Sequence, residues 1–477
     1  MSDQLWKKSI SEISGGYRTG EFTPIDLLES ILDRIDAVNP VINAIVTLDR
    51  QGARQAAEAS LKRWSAQTPL GPFDGVPITV KDNIPVRGMR STWGSYYYAE
   101  FVPETDELPV ARLRNAGAII LGKTNCPEFT LQGYTDNLLF GPTRNPWNTL
   151  LTPGGSSGGA VAAVASGFGP VAIATDGGGS IRRPASYTGL VGLKPSRGRV
   201  PRRNGFPVIL PDFESVGPIT RRVEDLVLTM KLICTPDRGD PLSLPFADRP
   251  FEISDAPACR ILYIPRFGEE PVDREISESV AQVAKAFADL GHQIEEGSMP
   301  FDSTELERAS SVIGRAGLAW LIGSFSGNHA QLTAGIAEMA ASGKDLLGTE
   351  YFGALSAVRN LQVHLSDLFA RYDLILTPSA AALPWPAAEP FPTTIAGRKV
   401  GPRGHAVFTG FVNMSGCPGI SIPANYSSGG LPIGFQLVAE HGRDGLLCEV
   451  AAQFELAHPW QQRRPILNSQ LGPQSSA

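Results

Sequence analysis

The sequence predicts an α/β fold, and three observations carry that prediction. Segments of helical period alternate with short apolar, strand-like segments along the chain. The strand-like segments are nearly all apolar rather than alternating, the pattern of a sheet buried on both faces. The 477 residues are 42% hydrophobic and 19% charged, enough for a large core, without an internal repeat or a low-complexity linker. No boundary divides the chain, so one domain over 1–477 is expected.

Thr23-Pro24 opens the first clear helix, with an N-cap hydroxyl, proline in the first turn and Asp26 three residues on. Ile25, Leu28, Ile31, Leu32 and Ile35 then mark its apolar face. A more polar helix covers 50–64, completing a helical N-terminal part over about 1–70. Asp74-Gly75 turns into VPITVKDN (76–83), a strand with Lys81 at its end. A helix over 108–116 stops at Gly117, and AIILGKTN (118–125) is strand into loop. Further on, ILYIP (261–265) is a strand, Ile276 to Leu290 a helix ended by Gly291, and Ala354 to Tyr372 a long helix feeding LILTP (374–378). GISIP (419–423) and IGFQLVA (433–439) are strands, and Leu446 to Ala457 is the last helix. Residues from about 300 to 350 show little periodicity and are expected to form variable pocket structure. The tail from Asn468 is polar and expected to be disordered.

The net charge of −6 and a pI near 5.7 argue against nucleic acid or an anionic membrane as partner. Five cysteines, at 126, 234, 259, 417 and 448, are odd in number and widely spaced, which points to reduced thiols in a cytoplasmic protein. The N-terminus lacks the apolar core of a signal peptide, and no run of 18 apolar residues occurs. The motifs contain no metal-ligand set, so neither metal nor cofactor is expected.

The stretch from Leu151 to Ala185 organises the rest. Gly154, Gly155, Gly158 and Gly159 frame Ser156 and Ser157, while Gly177, Gly178 and Gly179 lead into Ser180. Glycine beside serine permits cramped backbone and lets a ligand approach bare N–H groups. The clusters enclose VAAVAS, a tightly packing helix, and PVAIAT, a buried strand, so they belong to folded structure rather than to a linker. A serine at a strand–turn beside free N–H donors suits acyl transfer. Gly154–Gly158 satisfies G-x-S-x-G literally, but RNPWNTLLTP before it makes a poor strand, and the histidine base such an elbow needs would have to be His405. No S-x-x-K occurs, and no lysine follows either glycine cluster as a P-loop requires. What remains is a serine activated by a distant lysine. Lys81 ends an apolar strand, where lost hydration lowers a lysine pKa and frees it to act as a base. A second serine between the two could relay the proton.

With these pieces in order, the sequence closely resembles the amidase signature family from about Pro72 to Phe454. The motifs are GVPITVKDN, GKTNCPEF, GGSSGGAVAAVASG and TDGGGSIRRPA, with VRNLQVHLSDLFARYDLILTP and GFVNMSGCPGISIPA downstream. The resemblance implies a large twisted mixed sheet covered on both faces by helices, with the signature core over about 71–220. It maps a Ser–cis-Ser–Lys triad onto Ser180 as nucleophile, Ser156 as the cis-peptide serine and Lys81 as base. It maps the oxyanion hole onto the N–H groups of Gly177, Gly178, Gly179 and Ser180. Many relatives have threonine where Gly177 stands. Ser157 and Asp176 are then supporting hydrogen bonders, Arg182 an anchor for the turn, and Cys126 a pocket-wall residue rather than a nucleophile, since no basic partner is evident beside it. The implied reaction is hydrolysis of a small-molecule amide through an acyl-enzyme, and a homodimer is one assembly the sequence allows. Three rivals stay open: the glutaminase-type subunit of a tRNA-dependent amidotransferase, a non-catalytic glycine-loop binding protein, and a histidine-dependent α/β-hydrolase that would use His405. The arginine-rich stretch from Arg182 to Arg222 reads as ion-paired surface rather than as an anion site.

Overall fold

A computed structural model describes residues 2–325 and 331–467. The expected polar tail from Asn468 lies outside the described residues. The strands are β1 (Ile45–Leu48), β2 (Pro77–Lys81), β3 (Ile119–Thr124), β4 (Val171–Asp176), β5 (Val191–Lys194), β6 (Ser215–Thr220) and β7 (Arg260–Tyr263). They continue with β8 (Gln293–Glu296), β9 (Leu374–Pro378), β10 (Thr394–Ile395), β11 (Arg398–Lys399), β12 (Gly419–Tyr426) and β13 (Pro432–Ala439). Eleven of them form one sheet in the order β1-β3-β2-β4-β6-β5-β12-β13-β9-β7-β8, and β10 and β11 form a separate hairpin. Parallel pairs (β2 with β3 and β4; β7 with β8 and β9) flank an antiparallel centre. The sheet is therefore mixed.

Every residue of β2, β3, β4, β5, β6, β9 and β13 is buried, which is why these segments read as continuous apolar runs. The largest core cluster packs the helices Pro24–Ile42, Val223–Ile233, Arg274–Asp289 and Asp444–Ala457 against the sheet. A second cluster packs Ser303–Ser324, Gly348–Phe369 and Gly410–Ser415 together with β7, β9 and β13. Thr23 caps its helix as the sequence predicts, accepting from the Asp26 N–H at 3.2 Å, while the Asp26 carboxylate reaches back to the Thr23 N–H at 2.8 Å.

Strand pairing places the organising stretch. β2 and β4 are parallel neighbours, with Ile78 opposite Val171 and Val80 opposite Ile173. Lys81 and Thr175-Asp176 therefore leave the sheet at the same edge. The helix Gly158–Ser166 runs back over the sheet into β4, so its N-terminus, with Ser156 and Ser157 just before it, returns to that edge. All nine residues of this helix are buried, and its alanines and valines pack on Ala172, Ala174 and Ile219.

Two differences from the sequence reading have physical causes. The segment 300–350 is largely helical, as Ser303–Ser324 and Ala334–Gly343. Ser303, Glu307, Ser310, Ser311 and Gly314 stand beside Leu306 on the side of the first helix that faces a cavity, and these polar or small residues dilute its apolar period. Strand β6 contains Gly217 and Pro218 at its centre, residues that weaken a strand signal.

Close packing of the helix Gly158–Ser166 yields a stability prediction. A Cβ on Gly159 would stand 2.4 Å from the Asn125 nitrogen, 2.6 Å from its oxygen and 2.8 Å from the Ala44 oxygen, all backbone atoms. Gly159→Ala should lower unfolding stability in urea by about 1–3 kcal/mol, the cost of overpacking. Gly15→Ala, where a Cβ meets nothing within 4 Å, should be neutral or stabilising. Equal effects at the two positions would refute the packing assignment.

Candidate active site

Three segments converge on Lys81, which has no exposed surface. Its Nζ donates to Ser156 Oγ at 2.8 Å, to Thr175 Oγ1 at 3.0 Å and to the Thr175 carbonyl at 3.3 Å. Burial pushes its pKa down to about 8; nearby Cys126, Glu214 and Asp176 oppose that fall, and Arg202 adds to it. The Gly155–Ser156 peptide bond is cis. Ser157 ties the two serine clusters together, its N–H donating to the Ser180 carbonyl at 3.2 Å and its hydroxyl to the Thr175 carbonyl at 3.1 Å.

The turn after β4 is held by Asp176 and Arg182, both without exposed surface, at 2.9 Å. Asp176 also accepts from the N–H of Gly179 at 2.6 Å, from that of Ile181 at 3.0 Å and from Asn413 Nδ2 at 2.9 Å. Burial pushes this carboxyl up, but the Arg182 guanidinium and these donors outweigh burial and hold it well below the usual carboxylate range. Arg182 in turn donates to Gln436 Oε1 at 2.7 Å and to the Thr409 carbonyl at 3.2 Å. Gly179 sits at φ +109°, and a Cβ there would meet Thr409 Oγ1 at 2.2 Å, so only glycine fits.

Ser180 and the backbone of Gly177 and Gly178 line a cavity of about 230 Å3. The Ser180 hydroxyl has no hydrogen-bond partner among the described residues, and the residue keeps 7% exposure. Phe267, Phe301, Leu306, Phe411 and Met414 form the apolar wall, with Glu307 and Arg403 adding charge. The geometry narrows the expected donor set: the Gly179 N–H is taken by Asp176, which leaves Gly177, Gly178 and Ser180.

Cys126 is not in this cavity wall. It is fully buried, with its carbonyl accepting from Asn137 Nδ2 at 2.8 Å. Lys81 and Lys123 do lie close enough to favour its thiolate, contrary to the expectation of no basic neighbour, but burial dominates and pushes the thiol pKa up. His405 is buried under Trp385, ring centroids 4.7 Å apart. Burial, then Arg183 and Arg403, push its pKa well below the usual histidine range. It makes no hydrogen bond to either serine. The arginine-rich stretch is largely consumed internally: Arg199 pairs with Asp444, Arg202 with Glu107 and Glu214, and Arg222 with Glu12.

Several residues escaped the sequence reading. Thr175 and Asn83 hold Lys81 from the far side, with Asn83 Nδ2 donating to Thr175 Oγ1 at 2.9 Å. Arg183 binds the carbonyls of Gly178 and Gly155, the latter at 3.3 Å, and so links the two glycine turns. Among the described residues no group of three or more His, Cys, Asp or Glu could hold a metal ion. No described helix is long and apolar enough to cross a membrane.

The sequence and the fold have counterparts in known proteins. The Amidase family model matches residues 26–448. An acylamidase of Rhodococcus erythropolis is 36% identical over 474 residues, covering 96% of this chain and 97% of that protein. A glutamyl-tRNA(Gln) amidotransferase component of Alkaliphilus metalliredigens is 33% identical, covering 95% and 96%. A bacterial aryl acylamidase superposes with a TM-score of 0.88 at 29% identity, covering 95% and 97%. A substrate complex of 6-aminohexanoate cyclic dimer hydrolase does so with a TM-score of 0.88 at 32% identity, covering 97% and 99%. Matched end to end by such relatives, the chain belongs to the amidase signature family.

Proposed function

We propose that this chain hydrolyses a carboxylic amide through an acyl-enzyme on Ser180, with Ser156 and Lys81 moving the proton. The observation that carries the reading is the contact of a fully buried lysine with Ser156, beside a cavity holding a serine hydroxyl free of partners among the described residues. Lys81, neutral at the start, draws the Ser156 proton as Ser156 takes that of Ser180. The Ser180 Oγ–carbon bond forms while the N–H groups of Gly177, Gly178 and Ser180 receive the oxyanion. The proton then returns through Ser156 to the departing nitrogen, which keeps the electron pair of the broken C–N bond. Water, deprotonated along the same path, releases the acid and restores Ser180. Asp176, Arg182 and Ser157 hold the two turns in register.

The substrate is a small-molecule amide. The relatives named acylamidase and aryl acylamidase favour an acylated amine, and the apolar cavity wall suits an aryl or alkyl acyl group. An amidotransferase glutaminase would instead release ammonia from glutamine, and a panel of aliphatic, aryl and cyclic amides beside glutamine separates the two. Five free, buried cysteines support a cytoplasmic location, and one sheet running through the fold supports a single domain.

Ser180→Ala should abolish turnover and the covalent adduct with a fluorophosphonate, read by intact mass. An adduct that persists in this variant and maps to Ser156 or Cys126 would overturn the nucleophile.

Activity should require neutral Lys81. The neutral fraction grows with pH, so kcat/KM should climb through about pH 8 and level off above it. Lys81→Arg should be nearly as damaging as Lys81→Ala, because arginine stays protonated. A folded Lys81→Arg enzyme keeping a tenth of the wild-type rate, a loss of only about 1.4 kcal/mol, would rule out Lys81 as base.

A further inference from the structure

Arg183 donates to both glycine turns. Its Nη1 reaches the Gly178 carbonyl and, at 2.8 Å, Thr409 Oγ1, while its Nη2 reaches the Gly155 carbonyl at 3.3 Å. We propose that Arg183 is a positioning residue for the proton relay: it sets the Ser156 turn against the Ser180 turn, and amide cleavage depends on that register more than cleavage of an activated ester does. The inference rests on the acyl-enzyme reading above. Arg183 acts through the backbone of the two turns, since only 1% of its surface is exposed and little of it is left for a substrate.

The bonds fix more than one contact. The peptide between Gly178 and Gly179 is held at both ends, its N–H by Asp176 at 2.6 Å and its carbonyl by Arg183 and by Thr409 Oγ1 at 2.9 Å. The peptides on either side of it carry the N–H groups of Gly178 and Ser180, two of the proposed oxyanion donors. The N–H of Arg183 donates to the Gly179 carbonyl at 3.0 Å, so its main chain is fastened to this turn while its side chain crosses to the other. There the Gly155 carbonyl belongs to the peptide that carries the Ser156 nitrogen. The Ser157 N–H, bonded to the Ser180 carbonyl at 3.2 Å, is a separate tie between the same turns. One tie would leave the turns free to pivot about it. A second, from Gly155 to Gly178 through Arg183, removes the pivot.

The chemistry of the partners points to function rather than to stability. Arg182, one residue earlier, is paired with the carboxylate of Asp176 at 2.9 Å, whereas the Arg183 side chain is bonded to neutral oxygens. A guanidinium buried without a bonded counter-ion costs free energy that an apolar side chain would not. Its planar fork spans two acceptors that a single ammonium does not hold together. Register matters to the reaction, because a misplacement of about 1 Å costs roughly a hundredfold in rate. An amide needs it twice: Ser156 takes the Ser180 proton and then delivers it to the leaving nitrogen. A p-nitrophenolate leaves without a proton, so its ester needs only the first transfer.

The test compares an anilide and a p-nitrophenyl ester of one acyl group. The kcat/KM of each reports acylation, and rates are expressed per site labelled to completion by a fluorophosphonate, so that unfolded chains are not counted. Arg183→Lys keeps the charge and loses the fork. It should lower kcat on the anilide roughly a hundredfold with KM within about threefold of wild type, and lower kcat/KM on the ester by less than about tenfold. Thr409→Val keeps Arg183 and loosens only its Gly178 end. It should shift the anilide-to-ester ratio in the same direction by a smaller factor, and it carries the test by itself if Arg183→Lys does not fold. Equal losses on the two substrates would make Arg183 a support of the fold, and a loss carried by KM alone would make it a substrate contact. Either result, in whichever variant folds, overturns the proposal. A wild type that neither labels at Ser180 nor hydrolyses any amide would instead bring down the reading on which this one rests.

Discussion

A lysine ammonium with no exposed surface is the constraint around which this structure is arranged. Burial raises the free energy of the charged form, and Lys81 meets that cost with three oxygen partners: one from Ser156 and two from Thr175. These come from separate segments, and only the parallel pairing of β2 with β4 and the return of the helix Gly158–Ser166 bring them to one edge. The same arrangement that keeps the lysine dry lowers its pKa toward the range where a base can work.

The second constraint is the turn after β4. Asp176 accepts from the backbone it precedes, and Arg182 braces that carboxylate against Gln436 and Thr409 from distant parts of the chain. The turn is thereby fixed in the shape that presents Ser180 and two glycine N–H groups to the cavity. It also explains why one of three consecutive glycines is unavailable to an oxyanion: its N–H is part of the brace. Of the four N–H groups from Gly177 to Ser180 the third is spent on the brace, and sequence alone does not separate it from its neighbours.

Much of the frame was legible because its signals are local. The Thr23 cap, the apolar runs that form β2, β3, β4 and β9, and the small residues of the helix Gly158–Ser166 all follow from neighbouring residues. The serine and lysine positions stand out through their glycine surroundings and the family resemblance. What was not legible depends on contacts far apart in sequence. Thr175 and Asn83 look like ordinary strand-end residues until the fold sets Thr175 against Lys81 and Asn83 against Thr175. Arg183 reads as one of a surface run, yet it is buried and links Gly155 to Gly178. Cys126 sits in a motif, but the fold draws it into the fully buried interior rather than the cavity wall. The helix Ser303–Ser324 is hidden because the side that faces the cavity sets Ser303, Glu307, Ser310, Ser311 and Gly314 beside Leu306, which is a property of the pocket and not of the helix.

The central claim is that burial lowers the Lys81 pKa to about 8, so that a neutral amine is within reach just above neutral pH. The most direct test is the side-chain NMR titration of lysine-labelled protein, with the Lys81 signal assigned by its loss in Lys81→Arg. A midpoint near 8 is predicted; a midpoint at or above roughly 10.4, the value of a freely solvated lysine, would contradict the account.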